Sequence, residues 1–165
     1  MTHEQHSLLK ASDINSMDAF EFHHPLNPNS EIYLRFLGRA VGLKRIGVTI
    51  ARVPPGKESF IYHAHQNEEE WVYILSGQGI AEIGDQEYEV EAGDFMGFGL
   101  PQKPHHLRNP FHEDLVYLIG GEAGRLDVGV FPRLGKRVIM DSESAYMVDE
   151  SALQLFWSSK QSADD

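Results

Sequence analysis

From Ile32 onward, short runs rich in Val, Ile, Tyr and Phe recur every eight to twelve residues, separated by Gly and Pro. That rhythm predicts an all-β sandwich or barrel. The clearest piece runs from Gly79 to Ala92, where Tyr88, Val90 and Ala92 alternate with Glu87, Glu89 and Glu91. Such alternation gives a strand one apolar and one solvated face. Just before it, Ile80-Ala81-Glu82-Ile83 runs into Gly84-Asp85, a pair that suits a two-residue hairpin turn with glycine at positive φ. Further strands are predicted over Ile46–Val53, Ser59–His65, Trp71–Leu75, Asp94–Phe98, His105–Asn109 and Leu115–Ile119. Val128–Phe131 and Val138–Met140 follow after Gly120-Gly121. No helical period of ten or more residues separates these segments, which argues against a parallel βαβ fold.

The ends read differently. Residues 1–30 are polar and broken by Pro25 and Pro28, with Asn27, Asn29 and Ser30 around them, a loop signal. Ser12 or Asp13 is placed to cap a short helix through Met17 and Phe20. At the other end Asp149 is placed to cap a helix containing Leu153 and Phe156, and Gln161–Asp165 reads as a frayed acidic end.

Composition narrows the function. The chain of 165 residues carries 14 basic and 25 acidic side chains, for a net charge of −11. A phosphate-backbone binder needs a basic face, so nucleic acid is not an expected partner, and an anionic membrane is disfavoured by the same sign. The segment before Glu31 is too short and acidic for a helix-turn-helix. There are no cysteines, which excludes disulfides, thiolate nucleophiles, iron–sulfur clusters and cysteine zinc sites. No signal peptide and no apolar run of membrane-spanning length is visible, so a cytoplasmic protein is expected. Gly77-Gln78-Gly79 sits in a hairpin without a following lysine, so it is not a phosphate loop, and no serine is framed by a nucleophile elbow.

The candidate chemistry lies in the histidines. His63-Ala64-His65 falls in a β-patterned segment. Alternate strand residues share a face, so two imidazoles about 7 Å apart at their Cα atoms can lean toward one metal ion. Glu70 follows five residues later, where a loop turns into the next strand, and is placed to swing its carboxylate back toward the rings. Glu68 and Glu69 read as members of a solvated acidic run. Gly93-Asp94-Phe95-Met96-Gly97-Phe98, then Pro101, then His105 with Asn109 four residues on, supplies a third histidine from another strand. His105-His106 is a doublet and either can be the ligand. Spacing to Asn109 favours His105, and strand alternation then points His106 outward. His3, His6, His23, His24 and His112 read as solvated or loop side chains, and Arg35, Arg52 and Arg108 as surface charges that could also fix an anion.

Gly56, His63, His65, Glu70 and Gly77 at these offsets resemble the first motif of the cupin superfamily, and Gly93 through His105 to Asn109 resembles the second. The resemblance covers roughly Val41 to Gly121. The second motif departs from the family pattern because Gly99-Leu100-Pro101-Gln102-Lys103-Pro104 fills the turn where a proline two before a glycine is usual. The resemblance implies a double-stranded β-helix (jelly-roll) barrel over 31–140, with a short N-terminal arm (1–30) and a C-terminal extension (141–165). It also implies one divalent transition metal on His63, His65, Glu70 and His105. Such an N/O donor set suits Fe, Mn, Zn, Ni or Co rather than Ca or Mg, and ligand histidines must be neutral, so occupancy should fall below about pH 6.5.

Two functional classes follow. One is a metal-dependent enzyme (dioxygenase, isomerase or lyase) acting on a small organic molecule. The other is a non-catalytic barrel that binds a metal or small molecule. No residue stands out as a general base; Tyr62, Tyr73 and His106 are candidates. Abundant apolar strand residues and exposed sheet edges lead us to expect a homodimer.

Overall fold

The computed structural model describes residues 7–124, 126–141 and 143–157; His3, His6 and Gln161–Asp165 lie outside them. The chain is all-β and its strands pair antiparallel. The first sheet joins β1 (Phe20–Phe22), β2 (Ile32–Arg35), β3 (Ile46–Val53), β10 (Leu115–Glu122), β5 (Glu70–Ser76) and β8 (Phe95–Phe98), in that spatial order. A second holds β7 (Gln86–Glu91), β6 (Gln78–Ile83) and β9 (His105–Arg108). The third holds β13 (Ala145–Asp149), β12 (Lys136–Asp141), β11 (Leu126–Phe131) and β4 (Ala64–His65). An antiparallel bridge, His63 to His105, ties the last two sheets together. The result is a β-barrel whose sheets do not close.

Period-two alternation explains the core. Ala51 and Val53 of β3, Val72 and Ile74 of β5, and Leu115 and Tyr117 of β10 turn inward and are almost fully buried. They meet Ala81, Val90 and Leu107 from the opposite sheet. The hairpin expected at Gly84-Asp85 forms between β6 and β7, with Ile83 opposite Gln86 and Gly84 at φ +60°. Gly77 needs its missing side chain: φ is +80°, and a Cβ there would collide with the Asp114 carbonyl.

Several expectations change. Ser59–His65 is regular strand only over Ala64–His65, because the backbone before it makes isolated bridges at Glu58 and His63. Tyr88 is exposed although Val90 is buried, since β7 is a sheet edge and only one of its ends is covered. The polar N-terminal stretch supplies β1, which pairs with β2 through Phe20–Leu34 and Phe22–Ile32. Its helix α1 spans Ala11–Ser16 and is capped at Lys10, whose N–H donates to the Asp13 carboxylate at 3.0 Å. A second short helix, α2, covers Leu37–Ala40. Asp149 precedes only a 3-10 turn, Glu150–Ala152, and Leu153 to Trp157 carry no helix. No described helix is long and apolar enough to cross a membrane.

Candidate metal centre

His63 and His105 face each other across the bridge: each backbone N–H donates to the other's carbonyl, at 3.1 and 2.7 Å. This pairing sets their rings side by side inside the barrel, 4.8 Å between centroids, and alternation along the strand brings His65 within 5.1 Å of His63. Glu70 opens β5 on the opposite sheet and points back. Its Oε2 lies 3.1 Å from Nε2 of His105 and 3.8 Å from Nε2 of His65. His63, Glu70 and His105 present potential ligand atoms within 4.8 Å of one another. The structure therefore brings together all four residues singled out from the sequence, with His65 at the rim of the group.

The other ring nitrogens decide what these imidazoles can do. Nδ1 of His63 donates to the Ile61 carbonyl at 2.7 Å, Nδ1 of His105 faces the Lys103 carbonyl at 3.3 Å, and Nδ1 of His65 donates to Asp127 at 2.5 Å. Carbonyl and carboxylate oxygens only accept, so Nδ1 carries the proton and each Nε2 keeps its lone pair, those of His105 and His65 turned toward Glu70. A lone pair and a carboxylate oxygen 3.1 Å apart repel unless a proton or cation lies between them. Two ligands each about 2.1 Å from one ion and at right angles are about 3 Å apart, so this donor set fits a divalent transition metal.

Electrostatics agree. Burial, reinforced by the neighbouring His105, pushes the His63 imidazole down to about 3, so it stays neutral and ligand-ready. Phe98 lies flat on His105, centroids 3.6 Å apart and 8° from parallel, which fixes that ring.

Two supporting residues escaped the sequence reading. Asp127, only 3% exposed, accepts from His65 Nδ1 through Oδ2 and from the Asn67 N–H through Oδ1 at 3.0 Å. The signal was present: β11 turns Asp127, Gly129 and Phe131 toward the buried side, so an acid stands where an apolar residue belongs. Gln102 accepts from the His65 N–H at 2.8 Å and donates to the Glu68 and Phe98 carbonyls at 2.7 and 3.2 Å. The turn that departs from the motif pattern thus clamps three segments around the site. Glu68 is more than a solvated acid: it accepts from the Gly124 N–H at 2.6 Å, groups with His65 and Asp127, and burial raises its carboxyl.

Other expectations are corrected. His106 points away from the barrel interior, as alternation requires, and on that outer face it is buried. Tyr62 donates to the Gly84 carbonyl on the outer face and Tyr73 is exposed, so neither faces the cluster. Arg35 donates to the Met17 carbonyl, Arg52 pairs with Asp114 and Arg108 with Glu87. His24 is half-buried and packs edge-on against Phe131.

The barrel and its inward His/Glu cluster place the chain in the cupin class, and the comparisons agree. A family model described as "Cupin domain" matches residues 49–129, and the chain belongs to the cupin superfamily. A solved structure from Acidithiobacillus ferrooxidans, assigned provisionally as a sugar phosphate isomerase, is 35% identical over 92% of this chain and 97% of its own, with a TM-score of 0.86. A cupin-superfamily sugar phosphate isomerase from Silicibacter pomeroyi is 21% identical over 90% of this chain and 96% of its own (TM-score 0.78), a likeness of fold. An uncharacterized protein of Methanocaldococcus jannaschii is 36% identical over 59 residues, 36% of this chain and 46% of that one.

Proposed function

We propose that this cupin is a metal-dependent enzyme that isomerises a small hydroxycarbonyl compound of the sugar phosphate type. His63, His65, Glu70 and His105 hold one divalent transition metal in this reading. The observation that carries it is the tautomer pattern: three Nδ1 atoms occupied by acceptors, with the Nε2 atoms of His105 and His65 3.1 and 3.8 Å from one carboxylate oxygen of Glu70. The reaction class is supported by the likeness to the Acidithiobacillus ferrooxidans protein, which runs along almost the whole of both chains.

A metal bound there supplies Lewis acidity toward a carbonyl or hydroxyl oxygen. The chain's own residues prepare the place. Asp127 orients His65, Phe98 fixes His105, and Gln102 pins the backbone at His65. Met96, Leu107 and Tyr117 wall the interior with apolar surface and keep bulk water away.

The reading includes a homodimer. The outer face of the first sheet leaves Tyr73, Leu75 and Phe95 exposed side by side, with Tyr73 opposite Phe95 in the ladder, and such a patch is a site for a second copy.

To test the activity, protein purified without a histidine tag is stripped of metal and reloaded singly with Mn, Fe, Co, Ni or Zn. Proton NMR then follows interconversion of aldose and ketose phosphates. Metal-dependent interconversion, abolished by His105→Ala, is expected. One tightly bound ion per chain with no turnover under any metal would instead make the barrel a non-catalytic binding module.

A further inference from the structure

Three residues of the proposed metal site sit in strands: His65 in β4, His105 in β9 and Glu70 at the start of β5. His63 stands just before β4, and the run that delivers it, Ser59 to Tyr62, forms no strand. The barrel holds that run at its two ends. The Ser59 N–H donates to the Leu107 carbonyl at 2.9 Å, and the Tyr62 hydroxyl to the Gly84 carbonyl at 2.8 Å. The bridge to His105 fixes the His63 backbone, but the ring rests on the Ile61 carbonyl, which accepts from Nδ1 at 2.7 Å. That ring is therefore only as well placed as the Phe60–Ile61 backbone, which belongs to no ladder.

A residue 33 positions earlier in the chain holds this backbone. Asn27 donates through Nδ2 to the Phe60 carbonyl at 2.8 Å and to Glu58 Oε2 at 2.9 Å, and its Oδ1 accepts from the Asn29 N–H at 3.1 Å. Acceptors on one side of the amide and a donor on the other fix which way it faces. The Phe60 carbonyl lies in the plane of the Phe60–Ile61 peptide, so anchoring it restricts the carbonyl that follows, the one under His63. The rings form a second route: Phe22 of β1 lies 5.5 Å from Phe60, and Phe60 meets His63 edge-on at 6.4 Å.

The stretch is itself fastened down. The Ser30 hydroxyl donates to the Ser59 carbonyl, the Glu31 N–H to the Glu58 carbonyl at 3.0 Å, and the Glu58 N–H to the Asn29 carbonyl at 3.1 Å. Asn29 supplies a contrast to Asn27. Its side chain donates to the Gly56 carbonyl and to Glu58 Oε1, both at 3.2 Å, and among the described residues it makes no hydrogen bond to the run from Ser59 to His63.

We propose that the N-terminal stretch from Phe22 to Ser30 braces the metal centre, with Asn27 a positioning residue that acts on His63 through the Phe60–Ile61 peptide. The inference rests on the metal-site reading and not on the reaction proposed for that site.

The test compares full-length wild type with Asn27→Ala, Asn29→Ala and Phe22→Leu, each verified as folded by circular dichroism. Urea melts give stability, chelator competition gives the zinc Kd, and long-range proton–nitrogen NMR of the metal-free protein follows His63 Nδ1–H. Both asparagine variants should lose stability, which a merely structural role also predicts. Asn27→Ala alone of the two should bind zinc about tenfold more weakly, the lower end of the loss seen when a group behind a metal ligand is removed. Its His63 Nδ1–H should exchange faster with water, and Phe22→Leu should move the same resonance; Asn29→Ala should leave Kd within twofold and the resonance in place. The proposal is overturned if Asn27→Ala keeps the wild-type zinc Kd, if Asn29→Ala weakens zinc equally, or if neither Asn27→Ala nor Phe22→Leu changes the His63 signal. A wild type that binds no zinc would fail the metal-site reading itself, whereas a wild type and an Asn27→Ala variant that bind it alike would fail the brace alone.

Discussion

Asp127→Asn isolates the contribution of a residue that touches no ion in the proposed site. Asp127 is 3% exposed and accepts two hydrogen bonds, one from His65 Nδ1 at 2.5 Å and one from the Asn67 N–H at 3.0 Å. The asparagine keeps the shape and one carbonyl acceptor, but loses the negative charge and offers an N–H₂ in place of the second oxygen. Two effects follow. Apo stability should fall by about 1.5–3 kcal/mol, the range for a hydrogen bond to a charged group. Metal affinity should fall about 10- to 100-fold, or about 1.4–2.7 kcal/mol, because the carboxylate fixes the His65 tautomer and raises the basicity of its Nε2. Urea melts of the metal-free protein measure the first effect and chelator-competition titration with zinc measures the second. Loss of stability with a metal Kd within twofold of wild type would refute the argument and leave Asp127 a purely structural bond.

Asn109→Ala should separate the two parts of the second motif. Asn109 is 1% exposed, donates to the Val53 and Glu113 carbonyls at 2.9 and 2.7 Å and accepts from the Phe111 N–H. Its removal should cost about 1–3 kcal/mol by urea melt with metal stoichiometry unchanged; altered stoichiometry would contradict this. Acid should weaken the metal-free fold early. His63 titrates near 6.5 when unfolded but only at about 3 when folded, so below pH 6.5 the unfolded chain takes up a proton that the folded chain refuses. Stability at pH 5.5 should therefore be about 1.4 kcal/mol below that at neutral pH from this group, and His63→Gln should remove that slope; an unchanged slope in the variant would refute it. Phe95→Asp, at 65% exposure on the outer sheet face, should convert the proposed dimer to a monomer by light scattering without lowering the melting temperature of the monomer; a wild-type chain already monomeric at micromolar concentration would contradict the dimer.

What could be read from the sequence was whatever depends on local period. β3 appears with the same bounds, and the Gly84-Asp85 turn sits where a positive φ was required. His63, His65, Glu70 and His105 could be chosen because each is tied to a strand phase and a motif offset. What could not be read depends on contacts distant in sequence. Asp127 lies 62 residues from His65, so no local pattern links them. His106 was pointed outward by alternation, which tells which face a residue takes but not what covers that face. Its cover comes from Leu26, Asn27 and the turn at Arg133, far away along the chain. β1 escaped because a three-residue strand, Phe20–Phe22, is held by pairing with β2 rather than by its own pattern.

The most direct measurement is elemental analysis of untagged protein, wild type beside the double variant His63→Ala, His65→Ala, with folding of both verified by circular dichroism. One equivalent of a divalent transition metal per wild-type chain, falling to near zero in the folded double variant, is the predicted outcome. Equal metal content in the two proteins would contradict the inward cluster as the seat of the ion.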